Sequence, residues 1–79
     1  MTEAEAFSVL RANVLLVRDD VPETEVRRER TLASLDLSSL DRLDVLVGAL
    51  DDVGLPPKVD VLAGARTLGE LAAALAGAA

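Results

Sequence analysis

Three times along this chain a hydroxyl side chain stands three residues ahead of an acid at the head of an apolar run: Thr2 with Glu5, Ser38 with Asp41, and Thr67 with Glu70. At that spacing the hydroxyl accepts from a free first-turn amide, and the acid lies at the positive end of the helix dipole, where it can reach back to the cap. Helix starts are therefore expected near Thr2, Ser38 and Thr67.

Behind each start, apolar residues recur at intervals of three and four, the period of a helix with one buried face. The first run, from about Thr2 to Val17, presents Phe7, Leu10, Val14 and Val17, with Phe7 as the bulkiest core filler. The second, from Ser38 to Val53, presents Leu40, Leu43, Leu46, Val47, Leu50 and Val53, and leaves Asp41, Asp44, Asp51 and Asp52 on more polar positions. Gly48 inside it costs roughly 1 kcal/mol relative to Ala, which is tolerable where a neighbouring element approaches closely. The third presents Leu68, Leu71 and Leu75 and is expected to fray from residue 76, near Gly77.

Between the runs lie breakers. Asp19, Asp20, Val21 and Pro22 end the first helix, and Gly54, Leu55, Pro56 and Pro57 end the second. Val59 to Ala63 leaves room for one short helical turn before Gly64. The stretch up to Thr31 contains EVRRER and has no apolar period, so it reads as a long first loop pinned by Val26 and Leu32. Arg27, Arg28 and Arg30 then read as solvated charges that offset an acidic surface. The expected fold is all-α, a small bundle of three main helices plus one short helix in a single domain spanning residues 1–79.

Composition supports that reading and narrows the chemistry. The apolar set is 15 Leu, 13 Ala, 10 Val, one Met and one Phe, so the core is thin and aliphatic. A chain of 79 residues should expose about 4,600 Å² when folded, burying roughly 60% of its unfolded surface. Cys, His, Trp and Tyr are absent, which removes a thiol nucleophile, an imidazole base, a zinc-finger ligand set and an aromatic stacking surface. An autonomous enzyme is not expected. A formal charge of −6 repels phosphate backbones, which disfavours nucleic acid and favours basic partners. MTEAEAF carries acids where a secretory signal carries positive charge, and no apolar run approaches the ~18 residues of a membrane span. A cytoplasmic monomer without membrane association is expected. The pairs Asp19–Asp20 and Asp51–Asp52 lack the alternating ligands and glycine of a calcium loop, so no metal is assigned.

Ser39 is the candidate for chemistry. It sits at the mouth of the acidic second helix, where a phosphodiester on its hydroxyl would lie beside free amides and the positive dipole end. Helix physics alone favours the plainer reading, in which Ser38 and Ser39 are alternative N-caps.

From Thr31 to Leu75 the string TLASLDLSSLDRLDVLVGALDDVGLPPKVDVLAGARTLGELAAAL resembles the acyl carrier protein family. Leu35, Ser39, Leu40, Asp41, Asp44 and the pair Asp51 and Asp52 fall on that family's pattern around its modified serine. The resemblance implies that Ser39 carries a covalent 4′-phosphopantetheine, attached by a phosphopantetheinyl transferase, with acyl groups carried on it as thioesters. Asp41, Arg42, Asp44, Asp51 and Asp52 would then meet partner enzymes, and Leu40, Leu43, Leu46, Val47 and Leu62 could line a cleft for the acyl chain.

Within the family the chain looks most like the discrete carriers of polyketide β-branching cassettes. Asp41–Arg42 after the serine, Leu50 before Asp51–Asp52, and Gly64 to Leu71 carry that likeness. It implies delivery of a short acyl group, supplied through an acyltransferase or decarboxylase, to a ketosynthase or to a 3-hydroxy-3-methylglutaryl synthase homologue. The chain departs from the pattern where Ser38 replaces the usual Asp before the modified serine and Asp36 replaces a frequent Gly. A fatty-acid or peptide-assembly carrier, an unmodified module that docks through its acidic helix, and a plain helical oligomerisation domain are the other readings of this sequence.

Overall fold

The computed structural model describes residues 1–79 and contains three α-helices and no strand. Helix α1 spans Glu3–Val17, α2 spans Ser39–Asp52 and α3 spans Leu68–Ala78. Single turns of 3-10 helix at Glu23–Glu25, Ala33–Leu35 and Val59–Leu62 punctuate the connections. All three expected capping boxes form, with Thr2, Ser38 and Thr67 accepting from the amides of Glu5, Asp41 and Glu70 at 3.1 Å. The accessible surface of 4453 Å² is that of one small folded domain.

Packing is set by small side chains. Each helix contributes one fully buried alanine, Ala6, Ala49 and Ala72, which lets the backbones approach, while Leu10, Val14, Val45, Leu50, Leu68 and Leu75 fill the space between them. α1 packs against both α2 and α3. It comes close to α2 at Gly48, where a Cβ would overlap the carboxamide of Asn13. Asn13 is the one buried polar side chain, and its Nδ2 donates at 2.9 Å both to the Val9 carbonyl and to Asp52 Oδ2. The close neighbour that Gly48 calls for is therefore this amide.

The long first loop is a strap. Val26 and Leu32 anchor it as expected, and Leu35 and Leu37 join them in the core. Beyond Val26 it runs across the head of α3, where the carbonyls of Arg30 and Arg28 accept from the amides of Leu68 and Gly69 at 2.8 and 2.9 Å. Arg27, Arg28 and Arg30 pair with Glu29, Glu3 and Glu25 respectively.

Three expectations need correction. Phe7 is only half-buried, its ring lying at the bundle edge with the guanidinium groups of Arg28 and Arg11 at 5.2 and 6.0 Å from its centroid. The stripe of α2 is turned toward Val45 and Ala49, leaving Leu40 and Leu43 71% and 44% exposed. The final helix does not fray at residue 76 but runs to Ala78, held by fully buried Leu75, whose carbonyl accepts from Ala79.

Two predictions follow from this packing. Gly48→Ala should lower the urea midpoint, because overpacking costs about 1–3 kcal/mol against a helix-propensity gain of roughly 1 kcal/mol; adding Asn13→Ala should restore part of the loss. Glu70 is held below its ordinary carboxylate value by the amides of Thr67 and Arg66, so its contribution is present above about pH 4.5 and is lost as acid protonates it in the folded state. Chemical denaturation of Glu70→Gln between about pH 5 and about pH 3 should show a shallower loss of stability than the parent.

Candidate functional site

The head of α2 is built by the turn that precedes it. Leu35 and Leu37 are buried on either side of Asp36, which turns the chain through φ 62°, a left-handed conformation that Asp tolerates better than most residues. Arg18 holds that turn by donating from Nη1 to the Asp36 carbonyl at 2.8 Å, while its Nε and Nη2 grip Asp20. That grip holds the Asp20 carboxyl down at about 2 and pushes the Arg18 guanidinium further up. Ser38 follows in extended conformation as the cap, and Ser39 is the first residue of the helix.

Ser39 is exposed, and its Oγ accepts a hydrogen bond from Arg42 Nη2 at 3.1 Å. The amides of Ser39 and Leu40 have no acceptor, whereas those of Asp41 and Arg42 are satisfied by the Ser38 hydroxyl and carbonyl. The three helix heads differ in this respect. Strap carbonyls occupy the first two amides of α3, and α1 surrounds its open amides with Glu3 and Glu5. The head of α2 alone combines open amides, a protruding hydroxyl and a guanidinium against that hydroxyl.

The aspartates of α2 divide into two pairs. Asp41 closes the capping box and Asp52 accepts from Asn13, so both serve the fold. Asp44 and Asp51 are exposed, and their carboxylates accept no hydrogen bond and join no ion pair. At 100° per residue they share the outer side of the helix with Leu40, Leu43 and Val47. The result is an apolar ridge interleaved with carboxylates.

Arg42 points the other way. It is half-buried and lines a cleft of about 320 Å³ bounded by α2, α3, the Val59–Leu62 turn and the strap. Leu46 and Leu62 line this cleft together with Leu32 and Leu71, while Leu40, Leu43 and Val47, expected there too, lie outside it. The physical reason is the rotation of α2 toward Val45 and Ala49, which carries those three side chains to the outer face. Arg66 and the strap residues Thr31 and Ala33 also line the cleft and were missed in the sequence, because only the strap docking on α3 brings them near α2. No group of three or more acidic, Cys or His side chains is placed to hold a metal ion, and no helix is long and apolar enough to cross a membrane.

No family model matches the chain, and neither a curated protein nor a solved structure matches it.

The hydrogen-bond pattern makes a direct prediction. Amide hydrogen exchange followed by NMR should find Leu68 and Gly69 protected by the strap and Ser39 and Leu40 exchanging faster; equal protection at the two helix heads would mean that the head of α2 is closed.

Proposed function

We propose that this chain is an acyl carrier protein whose Ser39 bears 4′-phosphopantetheine. The observation that carries the reading is the head of α2: an exposed hydroxyl on the first helical residue, two amides without acceptors, and Arg42 Nη2 3.1 Å from the hydroxyl oxygen. When bound, the group supplies a terminal thiol, absent from a chain without Cys, on which acyl groups ride as thioesters. The chain's own residues attach and orient it. Ser39 offers the oxygen, the Ser39 and Leu40 amides and the helix dipole favour a phosphodiester, and Arg42 adds a charge-assisted donor.

The two departures from the family pattern are compatible with this. Asp36 adopts the left-handed turn that a glycine would allow, and Ser38 supplies the cap oxygen that an aspartate would supply. The outer ridge suits transient docking. Asp44 and Asp51 would steer the carrier toward Lys and Arg patches, Leu40 and Leu43 would seat in shallow apolar depressions, and screening by salt would weaken the encounter. On this reading the chain is a cytoplasmic, non-catalytic shuttle. It serves a phosphopantetheinyl transferase and the acyltransferase, decarboxylase, ketosynthase or 3-hydroxy-3-methylglutaryl synthase-like enzymes of polyketide assembly, including donation of a short acyl group for β-branching.

Intact mass after incubation with coenzyme A, magnesium and a broad-specificity phosphopantetheinyl transferase should rise by about 340 Da, as the hydroxyl proton is exchanged for the arm and adenosine 3′,5′-bisphosphate leaves. Ser39→Ala should abolish the gain and Ser38→Ala should keep it. A gain retained in Ser39→Ala moves the modification elsewhere, and none in the parent leaves an unmodified docking module as the better reading.

A further inference from the structure

Arginine pairing in this protein is uneven. Arg11, Arg18, Arg27, Arg28 and Arg30 each meet a carboxylate at 2.8 to 3.9 Å. Arg42 and Arg66 are the two of the seven arginines that do not, and both line the same cleft. Its wall contains no acid, although the chain has 14 Asp and Glu. The rest of the wall is largely aliphatic, with Leu32, Leu46, Leu62 and Leu71 among the residues that line it.

The second recess of the molecule, of about 220 Å³, shows what a structural use of arginine looks like here. Arg18 and Arg30 sit in it beside Asp20, Glu25 and Asp36, and are bridged to Asp20 and Glu25 at 2.8 and 3.0 Å. That recess satisfies its own charge. The cleft between α2 and α3 does not: half-buried Arg42 bonds only the Ser39 hydroxyl, exposed Arg66 has no carboxylate in ion-pair contact, and in an acidic protein two such guanidinium groups beside apolar walls describe the complement of an amphipathic anion.

We infer that the cleft binds a short aliphatic carboxylate, its stem against Leu46, Leu62 and Leu71 and its carboxylate on Arg42 and Arg66. Carboxylate is the head group the setting favours. Planar guanidinium forks hold it by donating two parallel hydrogen bonds, and the single bond from Arg42 to Ser39 leaves that group most of its five N–H donors. A volume of about 320 Å³ lies at the small end of ligand sites, which limits the stem to a few carbons. The ligand has two sources, a free acid or the far end of a dicarboxylic acyl group tethered at Ser39. Only the second rests on the carrier reading.

The test uses the unmodified protein with pentanoate and its neutral isostere pentanamide, followed by NMR of the Leu46, Leu62 and Leu71 methyl groups. Pentanoate should saturate those shifts at about fivefold lower concentration than pentanamide, the margin expected of a charge-assisted over a neutral hydrogen bond. Arg66→Gln, with helix content checked by circular dichroism, should erase the preference, as should high salt. Equal titration by acid and amide overturns the inference, as do shifts confined to methyl groups outside the cleft. A second arm distinguishes the sources, comparing protein carrying pentanedioyl and pentanoyl thioesters. Occlusion of free pentanoate by the pentanedioyl form alone assigns the site to tethered cargo, and occlusion by neither assigns it to a free acid. Failure to load the arm is read by mass and counts against the carrier, leaving the free-acid result standing.

Discussion

Two hydrogen bonds, from the amides of Leu68 and Gly69 to the carbonyls of Arg30 and Arg28, hold the strap across the head of α3 and thereby shape most of what lies around it. A helix head leaves its first amides without internal partners, and burying them unpaired is costly. Here the chain's longest connection satisfies them with its own backbone. The arrangement demands closeness, and Gly69 provides it: a Cβ there would sit 3.3 Å from the Arg28 carbonyl oxygen and Cβ. Once the strap is docked, Thr31, Leu32 and Ala33 become a wall of the cleft, Val26 closes part of the core, and Arg28 lies over the Phe7 ring.

That constraint also separates what was legible in the sequence from what was not. The helix heads were legible because capping is local, and Thr2, Ser38 and Thr67 each specify their start within three residues. Gly48 was legible as a point of close approach because glycine inside a helix asks for one. The partner, Asn13, was not, since an asparagine on α1 gives no sign of which helix it faces. On α2 the periodicity counted every large aliphatic side chain as inward, yet the interior took Val45 and Ala49 and left Leu40 and Leu43 outside. Close helices need small residues at their seam, and a stripe drawn by hydrophobicity alone is biased toward large ones. Phe7 was misplaced for the same reason: a core gathered around three alanines has little room at its centre for a ring, and cations cover the ring at its edge.

The candidate site was half legible. Ser39 was visible because its position depends only on the helix head, whereas the role of Arg42 depended on the rotation of α2, which turns its guanidinium toward the cleft and the Ser39 hydroxyl rather than onto the acidic face. Arg66 lies 24 positions farther on and reaches the same cleft only through the tertiary fold. Resemblance named residues by position, and position does not say which way a side chain points. The division of the aspartates shows this most clearly, because four acids alike in sequence become two whose carboxylates bond within the fold and two whose carboxylates have no protein partner.

The two faces of α2 consequently carry opposite signs. Its outer side presents carboxylates among exposed leucines, and the side that lines the cleft presents Arg42 and no acid, with Arg66 on the same cleft wall. A helix that is uniformly acidic would attract basic partners and repel an anionic ligand together; on the proposed readings, segregating the charges across its diameter would let one element do the first without the second. Ser39 stands at the end of the helix where the two faces meet. On the proposed carrier reading, an arm fixed there would lie along the cleft when the protein is alone and swing out past the acidic ridge when a basic partner docks, and the rotation of α2 that defeated the periodicity argument would then put protection and delivery on adjoining surfaces.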